Sequence, residues 1–173
     1  MDRFVSTFTN KIDAKGRVSI PASFRVVLER DGYTGGTSAA GSGANAPPQT
    51  GAGSIYCYPS LDSAALDAGG ERLARKIDAL LAGLADYSDE RDELSVALYG
   101  DVQVLHVDAD GRIVLPESLR AHAGLATPGS SQVTFVGLGD KFQIWEPAAF
   151  ELRRTKAREK VQEHRKLFGG MKG

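Results

Sequence analysis

The side chains best suited to chemistry in this chain occur twice at one spacing. Residues 13–25 read DAKGRVSIPASFR and residues 108–120 read DADGRIVLPESLR. Asp13, Gly16, Arg17, Pro21 and Arg25 recur as Asp108, Gly111, Arg112, Pro116 and Arg120, each 95 positions further on. An arginine carries a rigid fork of donors that matches phosphate oxygens, or O6 and N7 of guanine, two bonds at a time. Lys15, two residues before Arg17, adds a mobile point charge. Asp13 can orient the arginine or close the turn, but it repels phosphate if exposed. Asp-x-x-x-Arg therefore has two readings: a structural ion pair, or an arginine presented to a polyanion by its aspartate. The first suits Asp13 and Asp108. The second suits Arg17, with Arg3, Lys11 and Lys15 nearby in the sequence, while Arg112, flanked by Asp108 and Asp110, stands between the two.

The elements around the two motifs follow one plan. Phe4 to Ile12 (FVSTFTNKI) has the β-branched and aromatic content of a strand, and 13–16 is a turn in which Gly16 tolerates positive φ. Arg17 to Ile20 resumes as a strand, and Pro21 opens a helix with Phe24, Val27 and Leu28 on its apolar side. The second copy predicts strands at 102–107 and 112–115 about the turn Asp108 to Gly111, then a helix from Pro116 carrying Leu119. Strands 133–138 and 142–145 form a hairpin across Gly139-Asp140. A matching first-half strand is expected at Ile55 to Tyr58, ending at Pro59 as the later one ends at Trp145-Glu146-Pro147. Residues 35–53 lack charge and large apolar side chains, which predicts a mobile loop. Residues 61–98 read as two helices, with Leu73, Ile77, Leu80, Leu81 and Leu84 as a stripe for the core or a subunit contact. A charged helix is expected from Glu151, fraying towards Gly169-Gly170.

With 173 residues, two halves that bury each other are more stable than two halves alone. The net charge of −1 conceals an asymmetry. Residues 1–30 carry six bases and three acids, residues 60–101 four bases and ten acids, and residues 141–173 nine bases and four acids. A polyanion responds to local potential rather than to the total, so DNA binding stays open. The basic tail reads as a solvated helix face with interspersed Glu151, Glu159 and Glu163. No apolar stretch approaches the roughly 20 residues of a membrane span and no signal peptide is recognisable, so a soluble, cytoplasmic protein is expected. Catalysis has little support. His106, His122 and His164 are scattered, the single Cys57 lies in an apolar strand, and the Gly-rich segment lacks a P-loop lysine. No metal, cofactor or small-molecule substrate is expected.

The tandem DAKGRVSIP and DADGRIVLP motifs, with GDKFQIWEP at 139–147, resemble those of the MraZ family of bacterial transcriptional regulators. The resemblance implies a mainly β fold with flanking helices: a tandem AbrB-like swapped-hairpin β-barrel formed by two internal repeats in one chain. It divides the chain into repeats at 4–59 and 102–150, a helical connector at 60–101 and a tail at 151–173. It further implies a nucleoid-associated, ring-shaped homo-oligomer that binds repeated double-stranded DNA sites upstream of the division and cell-wall gene cluster. The DNA-contacting residues would be Arg17, Lys15, Arg112, Lys11 and Arg3, with Asp13, Gly16, Asp108 and Gly111 shaping the turns. An antitoxin-like protein-interaction module built on the same barrel is the alternative.

Overall fold

The computed structural model describes residues 2–31 and 53–165. The loop expected over 35–53 (Gly53 apart) and the expected fraying at Gly169-Gly170 lie outside the described residues. The strands are β1 (Thr7–Lys11), β2 (Arg17–Ser19), β3 (Ser54–Pro59), β4 (Leu66–Gly69), β5 (Gln103–His106), β6 (Arg112–Val114), β7 (Gln132–Gly137) and β8 (Phe142–Trp145). The helices are α1 (Ala22–Arg30), α2 (Glu71–Ala82), α3 (Asp89–Ser95), α4 (Glu117–His122) and α5 (Pro147–Glu163), and a π-helical turn, Val96–Gly100, continues α3. The expected class, a β core flanked by helices, is the one that forms.

Six strands make one antiparallel sheet in the order β1-β7-β8-β4-β3-β5, and β2 and β6 make a separate two-stranded ribbon. The order reads the same from either edge when β1 is matched with β5, β7 with β3 and β8 with β4. Each half lends its first strand to the hairpin of the other, β1 pairing with β7 and β5 with β3. The register obeys the same approximate two-fold, with Val18 opposite Ile113 at the ribbon centre and Asp67 opposite Gln143 at the sheet centre.

Three expectations need correction. The sheet does not close into a barrel: β1 and β5 remain its edges. Each of β2 and β6 is three residues long and pairs with the other, and β1 meets the ribbon through the isolated bridge Ile12↔Val18 and through Asn10 Nδ2, which donates to Ser19 O at 2.7 Å. Strands this short cannot also zip the two sheet edges together. Residues 66–69, expected to be helical, form the central strand β4. All four of its residues are buried, so no alternation marks it as a strand, and short apolar runs are ambiguous in sequence. Finally, β3 is the counterpart of β7, and β4 rather than β3 is the counterpart of β8.

Asp67 is tolerated at the sheet centre because its carboxylate is satisfied. It accepts from Lys141 Nζ at 2.8 Å and from Gln143 Nε2 at 2.8 Å, and Gln143 Oε1 in turn accepts from Trp145 Nε1 at 2.9 Å. The main core lies between sheet, ribbon and helices and includes Val18, Ile20, Ile113 and Leu115 from the ribbon strands and the residues after them. Phe24 on α1 sits at its aromatic centre, with ring centroids of Phe4 and Phe142 at 5.3 Å and 5.2 Å. Tyr58 and Trp145 are buried and Tyr56 half-buried, and Cys57 is fully enclosed, with burial pushing its thiol up to about 12. A second cluster joins Leu73, Ile77 and Leu81 of α2 to Leu98 of the π-helical turn, leaving Leu80 of the predicted stripe 53% exposed.

Helix starts are capped by side chains where the sequence supplies them. Ser88 Oγ accepts from Arg91 N, and the Glu146 carboxylate accepts from Ala148 N and Ala149 N. Gly70, before α2, has no side chain to cap with, and Asp31 at the end of α1 does so instead, accepting from Arg72 N at 2.9 Å. A Cβ on Gly70 would sit 2.9 Å from Asp31 Oδ2, so the cap requires glycine there. Two outcomes are expected in urea unfolding. Phe24→Ala should lower stability by about 3–5 kcal/mol through the cavity it leaves, and Asp31→Ala by about 1–2 kcal/mol through loss of the α2 cap.

Candidate nucleic-acid interface

The two Asp-x-x-x-Arg segments fold into nearly identical turns. Asp13 Oδ1 accepts from the amides of Lys15 and Arg17, both at 2.9 Å, and its Oδ2 accepts from Arg17 Nε at 2.6 Å. Asp108 makes the same contacts, to Asp110 N and Arg112 N at 2.9 Å each and to Arg112 Nε at 3.2 Å. Gly16 and Gly111 take φ of +86° and +77°, which glycine adopts without penalty. The Arg17 amide, then its side chain, holds the Asp13 carboxyl below the usual carboxylate range. The Arg112 amide does the same for Asp108. Both aspartates thus have the structural role, and they also fix the base of each arginine.

The turns are tied to each other. Leu115 N donates to Gly16 O at 2.8 Å and Ile20 N donates to Gly111 O at 2.9 Å. A Cβ on Gly16 would lie 2.5 Å from Leu115 O, and one on Gly111 would collide with the guanidinium of Arg25. Arg120, the counterpart of Arg25, lies over Gly16 and donates from Nε to Leu115 O at 3.0 Å. The sequence repeat marked Arg25 and Arg120 as a pair without indicating this packing role.

Between the turns, β2 and β6 bury Val18 and Ile113 and turn Arg17, Ser19, Arg112 and Val114 outward. In this register Arg17 faces Val114 and Ser19 faces Arg112, so the arginines are diagonal neighbours on one face. Such neighbours lie roughly 7–8 Å apart. Lys11, Asp13, Arg17, Ser19, Arg112 and Ser131 line a shallow concavity beside the ribbon. Lys15 is exposed at the turn tip and makes no ion pair among the described residues. The fold therefore gathers Lys11, Lys15, Arg17 and Arg112. It does not bring Arg3 to them: Arg3 lies beyond the opposite end of β1, where it is close enough to help lower the Asp140 carboxyl.

The two copies are not electrostatic equals. Arg17 is paired with Asp13 alone, whereas Arg112 also donates to Asp110 Oδ2 at 3.1 Å. Ser19 and Val114, which the sequence reading did not single out, share the face; their only sequence signal was the alternation of short strands. A hydroxyl and an aliphatic group between two arginines suit hydrogen bonding to base edges and contact with a thymine methyl. Among the described residues, no group of three or more His, Cys, Asp or Glu could hold a metal ion, and no helix is long and apolar enough to cross a membrane.

A family model described as "MraZ protein, putative antitoxin-like" matches residues 98–167. The chain is 49% identical to a transcriptional regulator MraZ of Beijerinckia indica over 166 residues, covering 96% of this chain and 87% of that protein. It is 47% identical to the transcriptional regulator MraZ of Azorhizobium caulinodans over 173 residues, covering 100% of this chain and 96% of the relative. It is 33% identical to the one of Rickettsia akari over 165 residues, covering 95% of each. Relatives matched at this identity along nearly their whole length share one fold and one family with this sequence: the chain belongs to the MraZ family.

Proposed function

We propose that the chain is a sequence-specific transcriptional regulator that binds double-stranded DNA through the β2–β6 ribbon. The observation that carries the reading is the single exposed ribbon face holding Arg17 and Arg112, in a chain whose near full-length relatives are named transcriptional regulators. A two-stranded ribbon fits the major groove; Arg17, held at Nε by Asp13, keeps both terminal nitrogens for a guanine edge or a phosphate, whereas Arg112 has one of its two engaged by Asp110. Lys15 and Lys11 contact phosphates on either side. Arg17 is the stronger contact, because Asp110 competes for Arg112. Arg3 takes no part at this face.

The exchanged strands support a tandem AbrB-like organisation, with units at 4–59 and 102–150. The central strand β4 and helix α2 extend the first unit into the connector. A single ribbon makes few phosphate contacts, and a ring presenting it several times gains avidity on regularly repeated sites. In this reading those sites lie upstream of the division and cell-wall genes, including the chain's own, and the protein works at the nucleoid. The family description as antitoxin-like favours a second reading, a protein-binding module. Salt separates the two, since DNA binding through several bases weakens steeply as salt rises and an apolar protein interface does not.

In mobility-shift titrations on DNA upstream of its gene, Arg17→Ala should bind roughly 5- to 150-fold more weakly, the equivalent of about 1–3 kcal/mol. Its salt dependence should flatten by about one phosphate contact, and Arg112→Ala should lose less. Unchanged affinity of the Arg17 variant at physiological salt would refute the ribbon contact. Acid pH gives an independent check on the turns. The Asp13 and Asp108 carboxyls are lowered in the fold, so their stabilisation is complete above the unfolded carboxylate value of about 4 and is lost as pH falls through the folded value. Asp13→Asn should therefore melt below the unmodified chain at pH 7, and the gap should shrink below about pH 4.

A further inference from the structure

We propose that Val114 is a specificity-determining residue, which reads the methyl group of a thymine beside the base that Arg17 contacts. The proposal rests on the ribbon reading above and names a base that the ribbon selects. Four side chains of β2 and β6 point outward, and three of them, Arg17, Ser19 and Arg112, are polar. Val114 is the fourth, 52% exposed and the one apolar side chain on that face. Val18 and Ile113 supply the share of the core that the two strands contribute from their inner face, so Val114 is not needed there.

Val114 stands 95 positions after Ser19, so a serine is its counterpart in an otherwise matched ribbon. The same three-residue strand therefore forms with a hydroxyl side chain at this place, and strand formation alone does not call for valine. Backbone geometry fixes its neighbour. Leu115 N donates to Gly16 O at one end of the ribbon and Ile20 N to Gly111 O at the other. Antiparallel alternation then makes Arg17↔Val114 a pair of the non-hydrogen-bonded kind, whose Cα atoms approach to about 4.5 Å. Successive bases of a strand lie about 3.4 Å apart. A base touched by Val114 is thus within one or two steps of the base that Arg17 meets.

Chemistry selects thymine. Its methyl is the apolar group in a major-groove code otherwise made of donors and acceptors. Covering that methyl with an isopropyl group removes apolar surface of both from water, which a serine hydroxyl in the same place does not do. Guanine, adenine and cytosine offer Val114 only polar groups that it cannot pair, and their desolvation costs affinity. Ser19, opposite Arg112, presents a hydroxyl at the corresponding place. The two ends of one ribbon face therefore select different bases, although their arginines are alike.

The test uses duplex DNA from upstream of the chain's gene, with its thymines replaced one at a time by deoxyuridine. That change removes the methyl and leaves base pairing intact. Affinity is read by fluorescence anisotropy for the unmodified chain, for Val114→Ala and for Val114→Ser, the second copying the residue at the matching position of the first repeat. The unmodified chain should bind about 4-fold more weakly when the critical methyl is removed. Each variant should bind the thymine duplex more weakly by about the same factor, and the same uridine should cost it nothing further. A scan in which no uridine weakens the unmodified chain would overturn the proposal and needs no variant. A folded variant that still loses about 4-fold at the same uridine would overturn it too. Both results leave the ribbon reading intact, which fails instead if Arg17→Ala binds with unchanged affinity.

Discussion

Two carbonyls, those of Gly16 and Gly111, each accept an amide from the opposite half of the chain, and the rest of the architecture follows from that exchange. The contact requires glycine twice over at residue 16: the φ is positive, and the carbonyl of Leu115 occupies the space a Cβ would need. Once the turns are joined in this way, β2 and β6 lie antiparallel, Val18 and Ile113 point into the core, and Arg17 and Arg112 must point out. Period-two alternation leaves no other choice. The same joint commits β1 to β7 and β5 to β3, so neither half holds a complete sheet alone. Fold and candidate site are one constraint seen from two sides.

The aspartates belong to this frame more than to any ligand. Each spends one oxygen on two backbone amides and the other on an arginine Nε, leaving little capacity for anything else. What they contribute outward is orientation: a guanidinium held at Nε loses less freedom when its terminal nitrogens bind. The two-fold is broken in more than one place. Lys15 against Asp110 makes one turn cationic and lets the other pair its arginine twice, and α2 buries Leu73, Ile77 and Leu81 where α5 buries Phe150 alone.

Much of this was legible in the residues. The repeat located both turns, the glycines needed at positive φ, the strands around them and the hairpin at Gly139-Asp140. The helices starting after Pro21 and Pro116 follow from proline's fixed φ and missing N–H. Strand β4 was not legible. Leu66, Asp67, Ala68 and Gly69 carry no alternation, because a central strand is buried on both faces, and an aspartate there is allowed only by Lys141 and Gln143, more than 70 residues away. Arg3 joined the candidate site on sequence proximity and left it because an extended strand carries its two ends far apart.

The sequence by itself determined the local chemistry: two turns of one design, their aspartates, glycines and arginines, and the uneven charge along the chain. These depend on neighbours within four or five residues, where covalent geometry leaves few options. Only the tertiary structure decided which half each strand pairs with, that the sheet stays open with the ribbon apart from it, and that Arg17 and Arg112 share one face. Those outcomes depend on partners far apart in the chain, such as Ile55 with Leu105, Val18 with Ile113 and Phe8 with Phe135. Such pairings are chosen by which apolar faces can be buried together, a condition that no single stretch of the chain expresses.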